Sequence, residues 1–137
     1  MAALIDTNLL LALVFPDDIH HQAALAAMRD SKIKRIIPAP VLPEFFYMAA
    51  TRMDYDAAIR AFQLTRSNMF YIENLTADDM TRMDAIMVDY ADNQFDFVDV
   101  ALMAIAERHD ICEIYTFDHR DFMVYRPSHC DFFELLP

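Results

Sequence analysis

Glycine is missing from this chain of 137 residues. The loops that cradle nucleotide phosphates, in the Walker motif and in the dinucleotide-binding fingerprint, need glycine so that the backbone can approach the phosphates closely. The absence therefore excludes both motifs, and with them most NTPases and nicotinamide-dependent enzymes. Turns that require a positive φ angle must be formed by Asn, Asp or His, which tolerate that conformation better than other residues.

Cysteines and long apolar segments are also scarce. Cys112 and Cys130 form no CxxC motif and no Cys/His zinc spacing, so we expect both thiols to be reduced, buried and inert. No apolar run reaches the roughly 18 residues that a membrane span needs. The apolar segment 1–14 lacks a basic region and contains Asp6, which is atypical of a signal peptide. These features predict a cytoplasmic protein without membrane association.

Basic residues are few, since 11 Lys and Arg against 22 Asp and Glu give a formal net charge of −11 at pH 7. Proteins that coat nucleic acids usually carry a basic stripe that neutralises phosphates, and this chain has none. The charge leaves room for an enzyme that reaches phosphate through a bound metal ion and a few arginines. It also suits a basic protein partner.

Short apolar segments alternate with helical patterns along the chain. The candidate strands are residues 2–5, 34–38, 69–72, 112–117 and 130–135. The candidate helices are residues 7–15, 17–28, 40–50, 54–66, 76–90 and 97–108. Short apolar strands between helices are typical of a parallel sheet that is covered on both faces. The sequence therefore predicts one α/β domain, residues 1–137, in three layers, with a central, mainly parallel sheet of four to five strands flanked by helices.

Three of these helices carry specific signals. Asp17 is expected to cap the second helix, and Asp54 the fourth. Thr76 and Asp79 resemble a capping box, and the helix that they open is expected to bury Met80, Met83, Met87 and Tyr90. Its acidic side, including Asp79, is most simply a solvated surface.

Four acids stand in apolar surroundings, where a carboxylate without a partner is costly. They are Asp6, Glu44, Asp99 and Asp118. Asp6 and Asp118 follow predicted strands, so they share the carboxyl edge of the sheet, where open α/β folds bind ligands. Glu44 and Asp99 lie near the starts of helices, and helix N-termini face the same edge. The sequence therefore predicts that the four carboxylates converge.

Clustered carboxylates repel each other, by about 4 kcal/mol for a pair roughly 4 Å apart at an effective dielectric constant near 20. A divalent cation removes this cost, and carboxylate and water oxygens suit Mg²⁺ or Mn²⁺. Such ions most often serve phosphate chemistry, which indicates phosphodiester hydrolysis. Asp96 and Asp121 are further candidate ligands, although helix capping is the simpler role for Asp96. Of the arginines that could bind phosphate, including Arg52, we expect Arg120 to be the best placed.

The same residues resemble the PIN domain family, over nearly the whole chain. The motifs are Ile5-Asp6-Thr7-Asn8, Pro43-Glu44-Phe45, Val98-Asp99-Val100-Ala101 and Thr116-Phe117-Asp118. The resemblance implies a metal-dependent ribonuclease in which the four acids are catalytic and hold the metal. It also implies that Thr7, Asn8 and Thr116 support the acids through hydrogen bonds. The small size is most similar to VapC-type toxins of type II toxin–antitoxin pairs, which cleave RNA, commonly dimerise and are blocked by an antitoxin.

This chain departs from the family pattern at one turn, and two other functions are alternatives to the nuclease. Family members often have glycine after the helix of the third acid, whereas this chain has His109-Asp110, so a different turn is expected there. A PIN-like binding or regulatory protein with weak or no nuclease activity fits the acidic charge. A phosphoacceptor receiver domain or an aspartyl phosphatase is disfavoured, because a receiver needs a lysine late in the chain and only Lys32 and Lys34 are present.

Overall fold

A computed structural model describes all residues, 1–137, and contains five strands in one sheet. The strands are β1 (Ala2–Ile5), β2 (Lys34–Pro38), β3 (Tyr71–Glu73), β4 (Glu113–Tyr115) and β5 (Glu134–Leu136). They lie in the order β3-β2-β1-β4-β5, and every neighbouring pair is parallel. The predicted α/β class and the parallel sheet are confirmed.

Seven α-helices connect and flank the strands. They are α1 (Thr7–Val14), α2 (His21–Ala27), α3 (Val41–Arg52), α4 (Tyr55–Thr65), α5 (Ala77–Asp89), α6 (Phe97–His109) and α7 (Arg120–Val124), with a 3-10 turn at Ala91–Asn93. The longest helices have 13 residues. None of the seven combines the length and the apolar character that a membrane span requires.

Side-chain caps fix the starts of two helices where the sequence predicts them. The Asp54 carboxylate accepts a hydrogen bond from the Ala57 N–H at 2.8 Å, which begins α4. Thr76 and Asp79 form a reciprocal capping box at the start of α5, with bonds of 2.9 and 3.1 Å. Because these bonds satisfy N–H groups that a helix start leaves free, they stabilise the boundary.

Helix α6 lies inside the molecule. Every residue from Val98 to Ala106 is buried, so the helix has apolar neighbours on all sides. It belongs to a core of 32 buried apolar residues that also includes most of β1 and half of α1. A carboxylate near the N-terminus of α6 is therefore held in a largely apolar setting.

The prediction for the start of α2 is wrong. The helix begins at His21, and its N-cap His20 makes no side-chain capping bond. Asp17 does not cap it, because the chain first makes a turn in which Asp18 accepts a hydrogen bond from the His20 N–H at 2.7 Å. The segment before α2 is consequently a loop.

The predicted faces of α5 are partly wrong. Met80 and Met87 are 49% and 37% exposed, and Met83 and Ile86 are the buried apolar residues of this helix. Asp79 is buried and paired with Arg108 of α6, so part of the acidic side faces protein. The predicted burial of Met83 is therefore confirmed, that of Met80 and Met87 is wrong, and Tyr90 is half-buried.

Strand boundaries also differ from the prediction, and one helix was missed. β3 and β5 begin two and four residues later than expected, β4 is limited to Glu113–Tyr115, and α7 was not predicted.

Asp110 takes a left-handed conformation, with φ of 55°, at the end of α6. Helices commonly end on glycine in this conformation, so Asp110 takes the role of glycine and no different turn is needed. Gln94, a residue type not expected there, has φ of 54°.

Candidate functional site

A cleft of about 300 Å³ opens at the carboxyl edge of the sheet. Its charged walls comprise five acids and one base, which are Asp6, Glu44, Asp96, Asp99, Asp118 and Arg52. The four acids singled out from the sequence thus lie around one space, as expected from their positions after strands and near helix starts. Their role as metal ligands stays a prediction.

Asp6 connects the end of β1 to the start of α1. One carboxylate oxygen accepts a hydrogen bond from the Thr7 N–H, and the other accepts one from the Thr116 hydroxyl, both at 2.8 Å. The side chain is only 5% exposed. Burial raises the pKa of Asp6 to about 6, and the nearby charges of Glu44 and Asp96 raise it further, while the two hydrogen bonds act against this rise.

Asp99 and Asp96 share the first turn of α6. The Asp96 carboxylate accepts a hydrogen bond from the Asp99 N–H at 2.8 Å, so Asp96 caps the helix while it also lines the cleft. Burial raises the pKa of Asp99 to about 8, and the charges of Asp6, Asp96, Asp121 and Asp118 add to this rise. Asp121 therefore acts on the cluster electrostatically, although it is not among the residues that line the cleft.

Thr116 and Asn8 tie the two strand ends together. The buried Thr116 hydroxyl, which donates to Asp6, also accepts hydrogen bonds from the Asp118 N–H at 3.0 Å and the Asn8 amide at 3.2 Å. The Asn8 side-chain oxygen accepts a bond from the Phe117 N–H at 2.9 Å. This network fixes the position of Asp6 relative to the backbone that carries Asp118.

Helix α3 supplies the remaining charged groups of the cleft. Glu44, Met48 and Arg52 are spaced by four residues and all line it, since residues four apart share one helix face. Arg120 is exposed at the start of α7 and does not line the cleft. The expectation that Arg120 is the best placed arginine is therefore wrong. The spacing of eight residues between Glu44 and Arg52 was the signal that could have identified Arg52.

The donors of this cleft are of the chemical type that a hard divalent cation binds, and no three of the carboxylates have oxygens within 4.8 Å of one another. Carboxylate oxygens are the ligands that Mg²⁺ and Mn²⁺ prefer. The hydroxyl oxygen of Thr7 is a further buried oxygen at this site, and it has no hydrogen-bond partner in the protein. Even with Asp99 protonated near pH 7, the single base, Arg52, cannot neutralise the other carboxylates, so the cleft has an uncompensated negative charge that a cation would balance.

The cysteines differ from the sequence expectation. Both are reduced, but they are half-buried rather than buried. They lie beside His129, outside the acidic cleft. The sequence showed no zinc spacing because the grouping depends on the pairing of β4 with β5.

Comparison with known proteins gives a consistent family. The PIN domain model matches residues 3–126. Ribonuclease VapC26 of Mycobacterium tuberculosis is 28% identical over 135 residues, which cover 98% of this chain and 99% of that protein. The crystal structure of Mycobacterium tuberculosis VapC20, a Sarcin-Ricin loop cleaving toxin, gives a TM-score of 0.79 at 23% identity, over 86% of this chain and 90% of that one. A toxin-antitoxin complex from Klebsiella pneumoniae gives a TM-score of 0.64 at 23% identity, over 89% of this chain and 91% of that one.

Proposed function

This chain belongs to the PIN domain family, and from that premise we propose that it is a Mg²⁺- or Mn²⁺-dependent endoribonuclease that hydrolyses phosphodiester bonds of RNA. The observation that carries the proposal is the set of five carboxylates around one cleft with a single base. Its similarity to VapC26, which is named a ribonuclease and matches along nearly its whole length, supports the same activity.

The acids Asp6, Glu44, Asp99 and Asp118 would hold the metal, with Asp96 and Asp121 as further candidates. When bound, a divalent ion in such a site supplies an activated water and stabilises negative charge on the scissile phosphate. The protein itself must hold its carboxylates in place and release their protons when the metal ion binds. Because the pKa values of Asp6 and Asp99 are raised to about 6 and about 8, metal binding should release protons near neutral pH.

Supporting residues position the acids and the substrate. Thr116 and Asn8 orient Asp6 through the network at the strand ends, and Thr7 offers an additional oxygen. Arg52 would bind a phosphate of the RNA, because it is the one base that lines the cleft. Arg120 remains outside that lining and would contribute less.

We propose further that residues 1–137 form one domain that acts in the cytoplasm as the toxin of a toxin–antitoxin pair. Two solved relatives support the pairing, one being a toxin and the other a toxin-antitoxin complex. Large apolar side chains on α3 and α4 also remain exposed, with Tyr47, Tyr55 and Phe62 at 68%, 66% and 55%. Such a surface suits an antitoxin or a second copy of the chain in a homodimer.

The decisive experiment compares RNA cleavage by the wild-type protein, Asp6→Asn and Asp99→Asn with Mg²⁺ or Mn²⁺ present. Asp84→Asn is the matched control, because it removes one acid from the exposed side of α5. Loss of a ligand carboxylate should reduce the cleavage rate at least about 100-fold. Mutation of residues that only orient the ligands already lowers metal affinity or activity about 10–100-fold. Equal rates in all four proteins would reject the nuclease assignment.

A second candidate, a PIN-like binding or regulatory protein with weak or no nuclease activity, is favoured by the net charge of −11. Thermal melts with Mn²⁺ separate the two. With Mn²⁺ at about 100 times the dissociation constant of an intact site, the free energy of unfolding should rise by roughly 2.7 kcal/mol. A wild-type protein that gains nothing from Mn²⁺ and cleaves no RNA supports the binding protein. Stabilisation that Asp99→Asn abolishes supports the nuclease.

A further inference from the structure

Three residues with metal-binding side chains lie together at the opposite end of β4 from the acidic cleft. Cys112 directly precedes β4, whereas Asp118 follows it, and His129 and Cys130 lie in the segment before β5. The two thiol sulfurs and an imidazole nitrogen are all within 4.8 Å of one another. None of the three residues lines the cleft.

The sheet creates this grouping. β5 pairs with β4 in parallel, with Glu134 opposite Glu113. The Glu134 N–H also donates to the Cys112 carbonyl at 2.8 Å, which extends the pairing to the residue that carries the first thiol. The segment before β5 is thereby held against the start of β4, and the two cysteines become neighbours although they are distant in the sequence.

One ring nitrogen of His129 makes no hydrogen bond in the protein. Its Nε2 lies 2.7 Å from the Ile111 carbonyl, which can only accept, so Nε2 carries the proton. Its Nδ1 then has a free lone pair, is buried and has no partner in the protein. Nε2 is also the ring nitrogen that lies 3.6 Å from the Cys130 sulfur, so binding through Nδ1 requires the ring and the thiol to shift relative to each other. An imidazole that donates one N–H to a backbone carbonyl is the usual state of a histidine that binds a metal through its other nitrogen.

Charge and distance also favour a cation. The carboxylates of Asp110 and Asp131 are close enough to act electrostatically on Cys130. In tetrahedral zinc sites with Zn–S bonds of about 2.3 Å, neighbouring sulfurs are about 3.8 Å apart. The two sulfurs therefore need to approach each other by at most about 1 Å, and the imidazole must turn to present Nδ1, adjustments that side-chain rotamers of half-buried residues allow.

We propose that Cys112, His129 and Cys130 bind one zinc ion, with water in the fourth position. Two thiolates and an imidazole select a borderline-soft ion such as Zn²⁺, whereas the oxygen donors of the acidic cleft select Mg²⁺ or Mn²⁺. The site is thus separate in place and in chemistry from the proposed nuclease centre. The ion would clamp the three-residue edge strand β5 to β4 and stabilise that edge of the sheet.

The test uses the reduced, full-length protein after removal of metals with a chelator. Co²⁺ is titrated first, because thiolate-to-cobalt charge-transfer absorption reports cysteine ligands alone, and Zn²⁺ then displaces it in competition. With Mg²⁺ in excess to occupy the acidic cleft, we expect the thiolate absorption of the wild-type protein to saturate at one equivalent of Co²⁺. Cys130→Ser should remove the absorption and weaken zinc affinity at least about 100-fold. Asp99→Asn, which alters only the acidic cleft, should leave both unchanged.

His129→Gln keeps both thiols and decides the question if Cys130→Ser does not fold. It should weaken zinc affinity at least about tenfold while thiolate absorption persists at high Co²⁺. With Mg²⁺ in excess to occupy the acidic cleft, zinc should also raise the melting temperature of the wild type and Asp99→Asn, but not of Cys130→Ser. Absence of thiolate absorption in the wild type, or zinc affinity that neither variant changes, overturns the proposal. A Cys112–Cys130 disulfide in the unreduced protein, with no zinc uptake after reduction, overturns it as well.

Discussion

At the scale of single residues, Thr116 is the point where the hydrogen bonds of the acidic cleft converge. Its hydroxyl donates to Asp6 and accepts from Asp118 and Asn8. Because this hydroxyl and the Asp6 carboxylate are both buried, Asp6 would lose a bond that water cannot readily replace. A small uncharged side chain therefore controls the orientation of a carboxylate that we propose as a metal ligand.

Thr116→Val removes these bonds while keeping the shape of the side chain. We expect RNA cleavage to fall about 10–100-fold and Mn²⁺ affinity to fall with it, as for other residues that orient metal ligands. Thr116→Ser retains the hydroxyl and should restore most of the activity. The measurements are cleavage rates and Mn²⁺-dependent melts. Unchanged affinity in the valine variant would contradict the positioning role.

The acids of the cleft could be identified from the sequence, and other groups could not. Asp6 and Asp99 interrupt apolar segments, and this local pattern persists in the structure as burial. Arg52 was undervalued because its position depends on which face of α3 turns toward the cleft. Cys112 and His129 gave no signal, because the contact between their segments arises from strand pairing that no local pattern encodes.

At the scale of secondary-structure elements, Asp79 joins the start of α5 to the end of α6. Its carboxylate accepts hydrogen bonds from the Thr76 N–H and from Arg108, both at 2.9 Å. Arg108 also donates to Glu73 at the end of β3 at 2.9 Å. Burial would raise the pKa of Asp79, but the bonds from Arg108 and Thr76 outweigh it and lower the pKa.

Asp79→Ala should therefore destabilise the fold by about 2–3 kcal/mol, since it removes a helix cap and leaves Arg108 without its buried partner. Asp78→Ala is the matched control on the same turn, because Asp78 is exposed, and it should change stability by less than about 0.5 kcal/mol. Urea denaturation measures both. Similar losses in the two variants would contradict this account.

The elements themselves were predictable where local signals agreed. The caps at Asp54 and Thr76 and the apolar strands β1 and β2 lie where the sequence indicated. The short outer strands β3 and β5 were displaced, because three-residue strands have little pattern and their limits depend on the neighbouring strand. The five-residue helix α7 was missed for the same reason, since one turn and a half carries no clear period.

At the scale of the whole molecule, the clustered acids make stability depend on pH. The folded-state pKa values of Asp6 and Asp99 are about 6 and about 8, against 3.8 as the ordinary value. The folded protein therefore binds more protons than the unfolded chain above about pH 4, and stability falls as pH rises. Glu107, with a pKa lowered to about 2, has the opposite dependence, but it acts at lower pH.

We expect the metal-free protein to lose on the order of 2–4 kcal/mol of unfolding free energy between about pH 5 and 9. Asp99→Asn should flatten this dependence, since its amide has no proton to lose. Saturating Mn²⁺ should also remove most of it, because the ion balances the charge. Urea denaturation at several pH values, in a chelator and in Mn²⁺, provides the measurement. Stability that rises with pH in the metal-free protein would contradict the raised pKa values.

The net charge of −11 affects the affinity of the protein for RNA, which is itself a polyanion. Proteins that neutralise 6–10 phosphates lose about 10³–10⁵ in affinity between 50 and 200 mM salt. In the mode of binding that we propose, one arginine and a metal ion would make the contacts with phosphate at the cleft. Added salt also screens the repulsion between the acidic surface and the RNA.

We therefore expect KM for RNA to change less than about tenfold over that salt range, with Mg²⁺ held in excess. Arg52→Gln should raise KM and flatten the dependence further, whereas Arg120→Gln, outside the cleft lining, should leave both close to wild type. A steep dependence that Arg52→Gln does not change would contradict this binding mode. The RNA would then contact several arginines elsewhere on the surface, and the cleft would receive only the scissile phosphate.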